Sequence, residues 1–294
     1  MKTGLHTISY AGVWPGQAKL SLSEIIWRAD KLNYDGLMIA AKRPHLSVLE
    51  ADADTLRRTR DEMDAAGVGL ACMAGYNNFS GDAEHADIPF GEMQIAHIGD
   101  LARIAQVLGG SIVRVFTAYQ HPALSEWALR GRVVACLKEA AQRVAELGVT
   151  LAVQNHHDCG AHWQTLGDLV VEIDEPNCRA GFDAWAPALH GEDLVVAARA
   201  MAPLTCQTIV ADYVRHPRFR YLPEFVNYER QPDLVQAVPM GEGMIDYRGF
   251  LSALVEGGFD GYVIYEMCSP LRGGGSLENL DHCAGQFLEF MKGL

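Results

Sequence analysis

Residues 241–267, GEGMIDYRGFLSALVEGGFDGYVIYEM, decide the fold. The first three make a glycine-flanked turn, too short a motif to cradle a phosphate. A helix is predicted near Tyr247–Glu256, a turn at EGGFDG, and then a short apolar strand, GYVIYEM, ending in Glu266. The same unit recurs upstream. LNYDG, AAGVG, LGGS and ELGVT are glycine-containing handovers from a helical stretch to an apolar run. The runs are GLHTISY (4–10), DGLMIAA (35–41), VGLACMAGY (68–76), SIVRVFTA (111–118), VTLAVQN (149–155), CRAGFDA (178–184) and TCQTIVAD (205–212). In the first helix Ser21 or Ser23 is the N-cap, and Ile25, Ile26, Ala29 and Leu32 share a face. Eight strands alternating with eight helices predict a single (β/α)8 TIM barrel, one domain over residues 1–294. An open doubly wound sheet would carry a glycine-rich phosphate loop after its first strand, and none stands there.

The bulk properties narrow the partners. A net charge of −13 argues against nucleic acid, which needs a basic surface. It leaves room for one small anion held by local arginines. The opening MKTGLHTISYAGVWPG has no apolar stretch of signal-sequence length, and no 18-residue apolar run suggests a membrane span. Seven scattered cysteines without a CxxC pair suit a reducing compartment, so a cytoplasmic location is expected.

In such barrels the chemistry sits where strands end and βα loops begin. Those ends carry His6, Tyr10, Lys42, His45, Tyr76, Asn77, Arg114, Gln154, Asn155, His156, His157, Asp183, Trp185, Gln207, Asp212 and Glu266. The opposite ends are mostly small turns. Alternation puts Ala152, Gln154 and His156 on one face of the fifth strand, with Gln207 and Ile209 together on the seventh and Ile264 and Glu266 on the eighth. A long loop after the seventh strand, rich in arginine, histidine and aromatic residues and including Arg215, reads as a lid or an oligomer contact.

GVTLAVQNHHD (148–158), NCRAGFDAWAPALHGEDL (177–194), LSEIIWRADKLNYDGLMI (22–39) and the closing residues 238–267 resemble the sugar-phosphate isomerase/epimerase superfamily of xylose-isomerase-like barrels. That group includes ketose 3-epimerases, hydroxypyruvate isomerases, inosose and dehydroshikimate dehydratases, and the endonuclease-four type of DNA repair enzyme. The resemblance implies one divalent ion, Mn²⁺ or Mg²⁺ foremost with Co²⁺ or Zn²⁺ as further options. Its ligands would be Glu, Asp, His and Glu from strands five to eight. Asp183 and Glu266 match. Gln154 stands at the first position and Ile209 at the third, which leaves Gln207, two residues earlier on the same face, as the substitute ligand. The implied metal set is therefore Gln154, Asp183, Gln207 and Glu266.

Because an amide does not titrate, proton work falls to Glu266, with His156 or His157 as second handler near neutral pH. His6, Tyr10, Lys42, His45, Arg114, Trp185 and Arg215 are the candidate substrate-binding residues. The expected function is a metal-dependent isomerase or epimerase of a small sugar or polyol ketone, assembled as a homo-oligomer (dimer or tetramer). The alternatives are a dehydratase of the inosose or dehydroshikimate type and a non-catalytic sugar-binding barrel. DNA repair is disfavoured by the acidic charge.

Overall fold

In the computed structural model, which describes residues 1–85 and 87–294, eight parallel strands close into a barrel. Ala86 lies outside the described residues. The chain order is β1 (Lys2–His6), α1 (Leu22–Leu32), β2 (Gly36–Ala40), α2 (Ala53–Ala66), β3 (Gly69–Ala74), α3 (Phe90–Val107), β4 (Ile112–Val115), α4 (Glu126–Val144), β5 (Thr150–Gln154) and α5 (Trp163–Ile173). Then come β6 (Cys178–Gly181), α6 (Trp185–His190), α7 (Leu194–Met201), β7 (Thr205–Val210), the hairpin β8 (Asp212–Leu222) and β9 (Asn227–Val238), α8 (Tyr247–Glu256), β10 (Tyr262–Tyr265) and α9 (Leu277–Lys292). Strands β1 to β7 pair in sequence order around the barrel, and β10 closes it between β7 and β1.

Local chemistry explains the joints. Ser21 caps α1 in a reciprocal box with Glu24. The helix-to-strand handovers turn on left-handed residues that an ordinary side chain resists: Gly67 after α2 (φ 68°) and Gly148 before β5 (φ 67°). The main core lies between the strands and the helical ring. A smaller cluster of Met38, Ala71, Cys72, Ala74, Ile209 and Ile264 forms separately. Gly4 lets β1 approach that cluster, since a Cβ there would meet Ile264 Cγ1 at 2.9 Å.

Three expectations are corrected. The first strand stops at His6 rather than running on to Tyr10, because His6 Nδ1 accepts the Ile8 N–H (3.2 Å) and starts a 3-10 turn over Thr7–Tyr10. The long loop after the seventh strand is the β8–β9 hairpin, paired in antiparallel register from Asp212↔Val238 to Leu222↔Asn227. An extra short helix, α6, follows Asp183. The turn at residues 241–243 is organised by Asp212, whose carboxylate accepts the N–H groups of Gly241 (3.0 Å) and Gly243 (2.9 Å).

Candidate functional site

A cavity of about 440 Å³ opens over the C-terminal strand ends, lined among others by Lys42, Tyr76, Arg114, Phe116, Gln154, His156, His157, Glu266 and Cys268. A second, of about 190 Å³, adjoins it and adds Asp183, Trp185, Ile209, Tyr213 and Val235. Gln154, His156, Glu266 and Cys268 line both. The base of the hairpin, through Tyr213 and Val235, walls the second cavity, while the outer hairpin is exposed.

One side of this mouth is fully wired. Asn155 clamps the Asp183 backbone, donating to its carbonyl (2.8 Å) and accepting its N–H (2.7 Å). The Asp183 carboxylate accepts the Ile209 N–H at Oδ1 (2.6 Å) and the Gln154 amide at Oδ2. The strand register makes this possible, pairing Gln154 with Gly181 two residues before Asp183. Loss of hydration raises the Asp183 pKa to about 7, with nearby Glu266 adding to the rise and the two hydrogen bonds opposing it.

The other side is electrostatically open. Arg114 is 2% exposed, its guanidinium carbon 3.9 Å from the Phe116 ring centre and 4.8 Å from that of Tyr76. Its Nε and Nη1 have no hydrogen-bond partner. Lys42 Nζ lies 3.7 Å from the Tyr76 ring centre on the same wall. Glu266 is raised by loss of hydration, against which a Cys268 contact and the Arg114 and Lys42 charges act. Asn77 fixes this wall, donating to the Phe116 carbonyl (2.7 Å) and accepting its N–H (2.8 Å).

The two histidines differ from expectation in their titration. Loss of hydration, then the charge of Arg114, pushes His156 down to about 4. His157 falls to about 3, through loss of hydration and then His156 and Arg114. Both are neutral at pH 7. His157 is stacked between Phe116 (4.2 Å) and Tyr119 (4.0 Å), whereas His156 reaches the opening of the mouth with its ring against Phe116 (4.8 Å) and near Trp185 (6.5 Å).

The structure gathers Lys42, Arg114, Gln154, His156, His157, Asp183, Trp185 and Glu266 about the two cavities. The other expected binders lie elsewhere. His6 is buried, its Nδ1 committed to Ile8. Tyr10 donates to Asp281 on α9 (3.0 Å), and His45 lines neither cavity. Arg215 donates to the carbonyls of Ala188 (3.2 Å) and Leu189 (2.7 Å), tying the hairpin base to α6. Gln207 is fully buried and lines neither cavity; Ile209 takes that wall. Sequence reasoning passed over Phe116, Tyr119, Cys268 and Tyr213. Tyr76 stood among the strand ends without being selected, and its aromatic ring beside a strand-end arginine was the available signal.

These residues do not suit the divalent ion that the resemblance implies. Both Asp183 oxygens accept hydrogen bonds, and the Gln154 amide presents its N–H rather than its oxygen to them. The aliphatic Ile209 lines the cavity where a strand-seven donor is needed, and two cations line the adjoining one. Among the described residues no group of three His, Cys, Asp or Glu is arranged to hold a metal.

Fold and site together define a (β/α)8 barrel with a polar, aromatic-walled cavity at the C-terminal ends of its strands. The chain belongs to the xylose isomerase-like TIM-barrel family, whose pattern matches residues 26–286. An inosose dehydratase from Lacticaseibacillus casei is 27% identical over 165 residues, 52% of this chain and 50% of that protein. The chain thus spans about half the length of that curated relative. Among solved structures, D-psicose 3-epimerase with D-tagatose from Clostridium cellulolyticum H10 superposes with a TM-score of 0.75 at 18% identity, covering 99% of this chain and 98% of the other. A probable 3-DHS dehydratase from Bacillus anthracis gives 0.74 at 16% identity, covering 99% of each chain. At these identities the likeness is one of fold.

Proposed function

We propose that this protein is an enzyme that moves a proton next to the carbonyl of a small sugar or polyol ketone, as an isomerase or epimerase. The observation that carries the reading is Glu266, a carboxylate at the end of β10 that lines both cavities, in the field of Arg114 and Lys42. Glu266 takes the proton from the carbon beside the carbonyl. Loss of hydration strengthens it as a base, and the two cations keep it charged. Negative charge then develops on the carbonyl oxygen, in the positive field that Arg114 and Lys42 set up over the cavity. His156, neutral and at the opening of the mouth, donates a hydrogen bond or passes the proton on. Trp185 and Tyr213, with ring centres 5.7 Å apart, offer an apolar face to the sugar carbons.

Dehydration is the second reading. It is favoured by the one-sided site, in which Gln154 stands where a second proton-moving carboxylate would be, and by the half-chain likeness to an inosose dehydratase. The test is incubation with ketoses, keto-inositols and keto-acids of the dehydroshikimate type in D₂O. NMR would follow deuterium uptake beside the carbonyl, and ultraviolet absorbance the conjugated product of water loss. Uptake without water loss supports the isomerase, and absorbance gain supports the dehydratase. Either signal should fall about 100-fold or more in Glu266→Gln. No signal with any substrate would overturn both and leave a sugar-binding barrel. A cytoplasmic homo-oligomer belongs to the same reading, and light scattering after gel filtration checks the assembly. Among the described residues no helix is long and apolar enough to cross a membrane.

A further inference from the structure

We propose that Arg114 and Lys42 form a carboxylate-binding site, so that this barrel takes a polyhydroxylated keto-acid or related acid and does so without a divalent ion. The proposal deepens the reading above and rests on it for the reaction, while the binding it asserts is measured separately.

The first support is an imbalance of charge and partners. Neither Arg114 nor Lys42 makes an ion pair among the described residues. Arg114 is nonetheless almost wholly buried, with Nε and Nη1 unpaired. A buried guanidinium is costly unless its donors are met, and the protein supplies no acceptor for these two. The cavity it lines, at about 440 Å³, is large enough for a small ligand.

The second support is shape. The guanidinium is packed between Phe116 and Tyr76, and Lys42 is held on Tyr76, so the two charges are fixed by aromatic contacts and not by a protein acceptor. A planar, pre-positioned guanidinium suits a planar carboxylate. The third is the failed metal set. With the Asp183 oxygens engaged and Ile209 on the wall, the positive charge facing Glu266 comes from Arg114 and Lys42. An acid bound there would bring its hydroxylated carbons toward Glu266 and His156, which share the cavity.

The test is calorimetric titration of the full-length protein in EDTA with matched pairs: glycerate and glycerol, threonate and threitol, gluconate and glucitol, plus glucitol 6-phosphate. At least one acid should bind about 10-fold or more tightly than its alcohol, with affinity falling as salt rises. Lys42→Met, at an exposed position, should remove about 5-fold or more of the acid's affinity and leave the alcohol's unchanged; Arg114→Met should remove more. Circular dichroism verifies that both variants fold. Equal binding of every acid and its alcohol would overturn the site. Binding that appears only with added Mn²⁺ would overturn the metal-free assignment, and tighter binding of the phosphate than of gluconate would overturn the carboxylate. Acid-selective binding without turnover leaves this inference standing while the proposed reaction fails. Turnover of neutral ketoses without acid selectivity does the reverse.

Discussion

The two sides of the barrel mouth treat their polar groups in opposite ways. Where β5 and β6 end, every acceptor on Asp183 is met: Asn155 holds its backbone, Ile209 and Gln154 its carboxylate. Where β4 ends, with the loop after β2 beside it, Arg114 has buried donors with no acceptor and Lys42 rests on a ring. Buried groups that satisfy one another serve the fold, whereas a buried cation with unmet donors on a cavity wall is available to a ligand. In a family whose resemblance implies a metal at strands five to eight, that contrast moves the positive charge across the barrel.

The most forceful way to break the contrast is to rebuild the missing donors. Gln154→Glu with Ile209→His places the implied residue types at the strand-five and strand-seven positions beside Asp183 and Glu266. The double variant should gain saturable Mn²⁺ binding at least about 100-fold tighter than the parent by calorimetry. A parent that already binds Mn²⁺ as tightly would show that Gln154 and Asp183 rearrange to take an ion.

Next in size is the loss of the clamp. Asn155→Ala orphans the Asp183 N–H and carbonyl in a buried place, costing roughly 2–4 kcal/mol. The melting temperature should fall by about 4–12 °C. A fall of under about 2 °C would mean that this side is not held as tightly as its hydrogen bonds indicate.

Asp183 itself gives a pH dependence. Its folded pKa of about 7 lies above the ordinary value of 3.8, so folding favours the protonated form. Its stabilising effect is fully present below about pH 4 and is lost as pH rises through 7. The histidines act oppositely: with folded values of about 4 for His156 and 3 for His157 against 6.5, they favour the fold above 6.5 and lose that effect in acid. Asp183→Asn isolates the carboxyl, because Gln154 can rotate its amide to present oxygen to the new side-chain nitrogen. The parent's advantage over the variant should shrink between pH 4 and pH 8 by an amount of order 2–4 kcal/mol, read from denaturant titrations. A difference that stays constant with pH would place Asp183 as an ordinary ionised carboxylate.

The barrel was legible because its signal is repeated: apolar runs, helical stretches and glycine handovers recur around the chain, and no single boundary has to be right. His6 shows the limit. Its ring ends β1 early by accepting a backbone N–H, a choice set by local geometry that periodicity does not report. The site was half legible. Strand-end position alone marked Asp183, Glu266, Arg114 and Lys42, since alternation dictates what faces the mouth. Gln207 defeated the same reasoning. It has the right face but sits one step too deep, and depth along a tilted barrel strand depends on register with β6 and β10. The histidines line the mouth, but their pKa values fall below the near-neutral range expected of them, because loss of hydration comes first and the charge of Arg114 on another strand adds to it. Arg215 points the other way: a cation in a loop that looked like a lid is used to hold α6.

The smallest expected effect gives the sharpest view of the contrast. Arg114→Met removes a charge that the protein does not pair, while methionine's flexible, polarisable side chain can occupy the space between Phe116 and Tyr76. The lost cation–π contacts, on the order of 1–2 kcal/mol, oppose the relief of burying an unpaired cation. The two should cancel to within about 1 kcal/mol, so the melting temperature should move by under about 4 °C in either direction. The result is to be set beside Asn155→Ala, another nearly buried polar side chain in the same mouth. A large loss for Asn155 and almost none for Arg114 would separate a residue kept for the fold from one kept for a ligand. A loss at Arg114 as large as that at Asn155 would make the guanidinium a structural post between two rings, and the open side of the mouth would then be part of the scaffold.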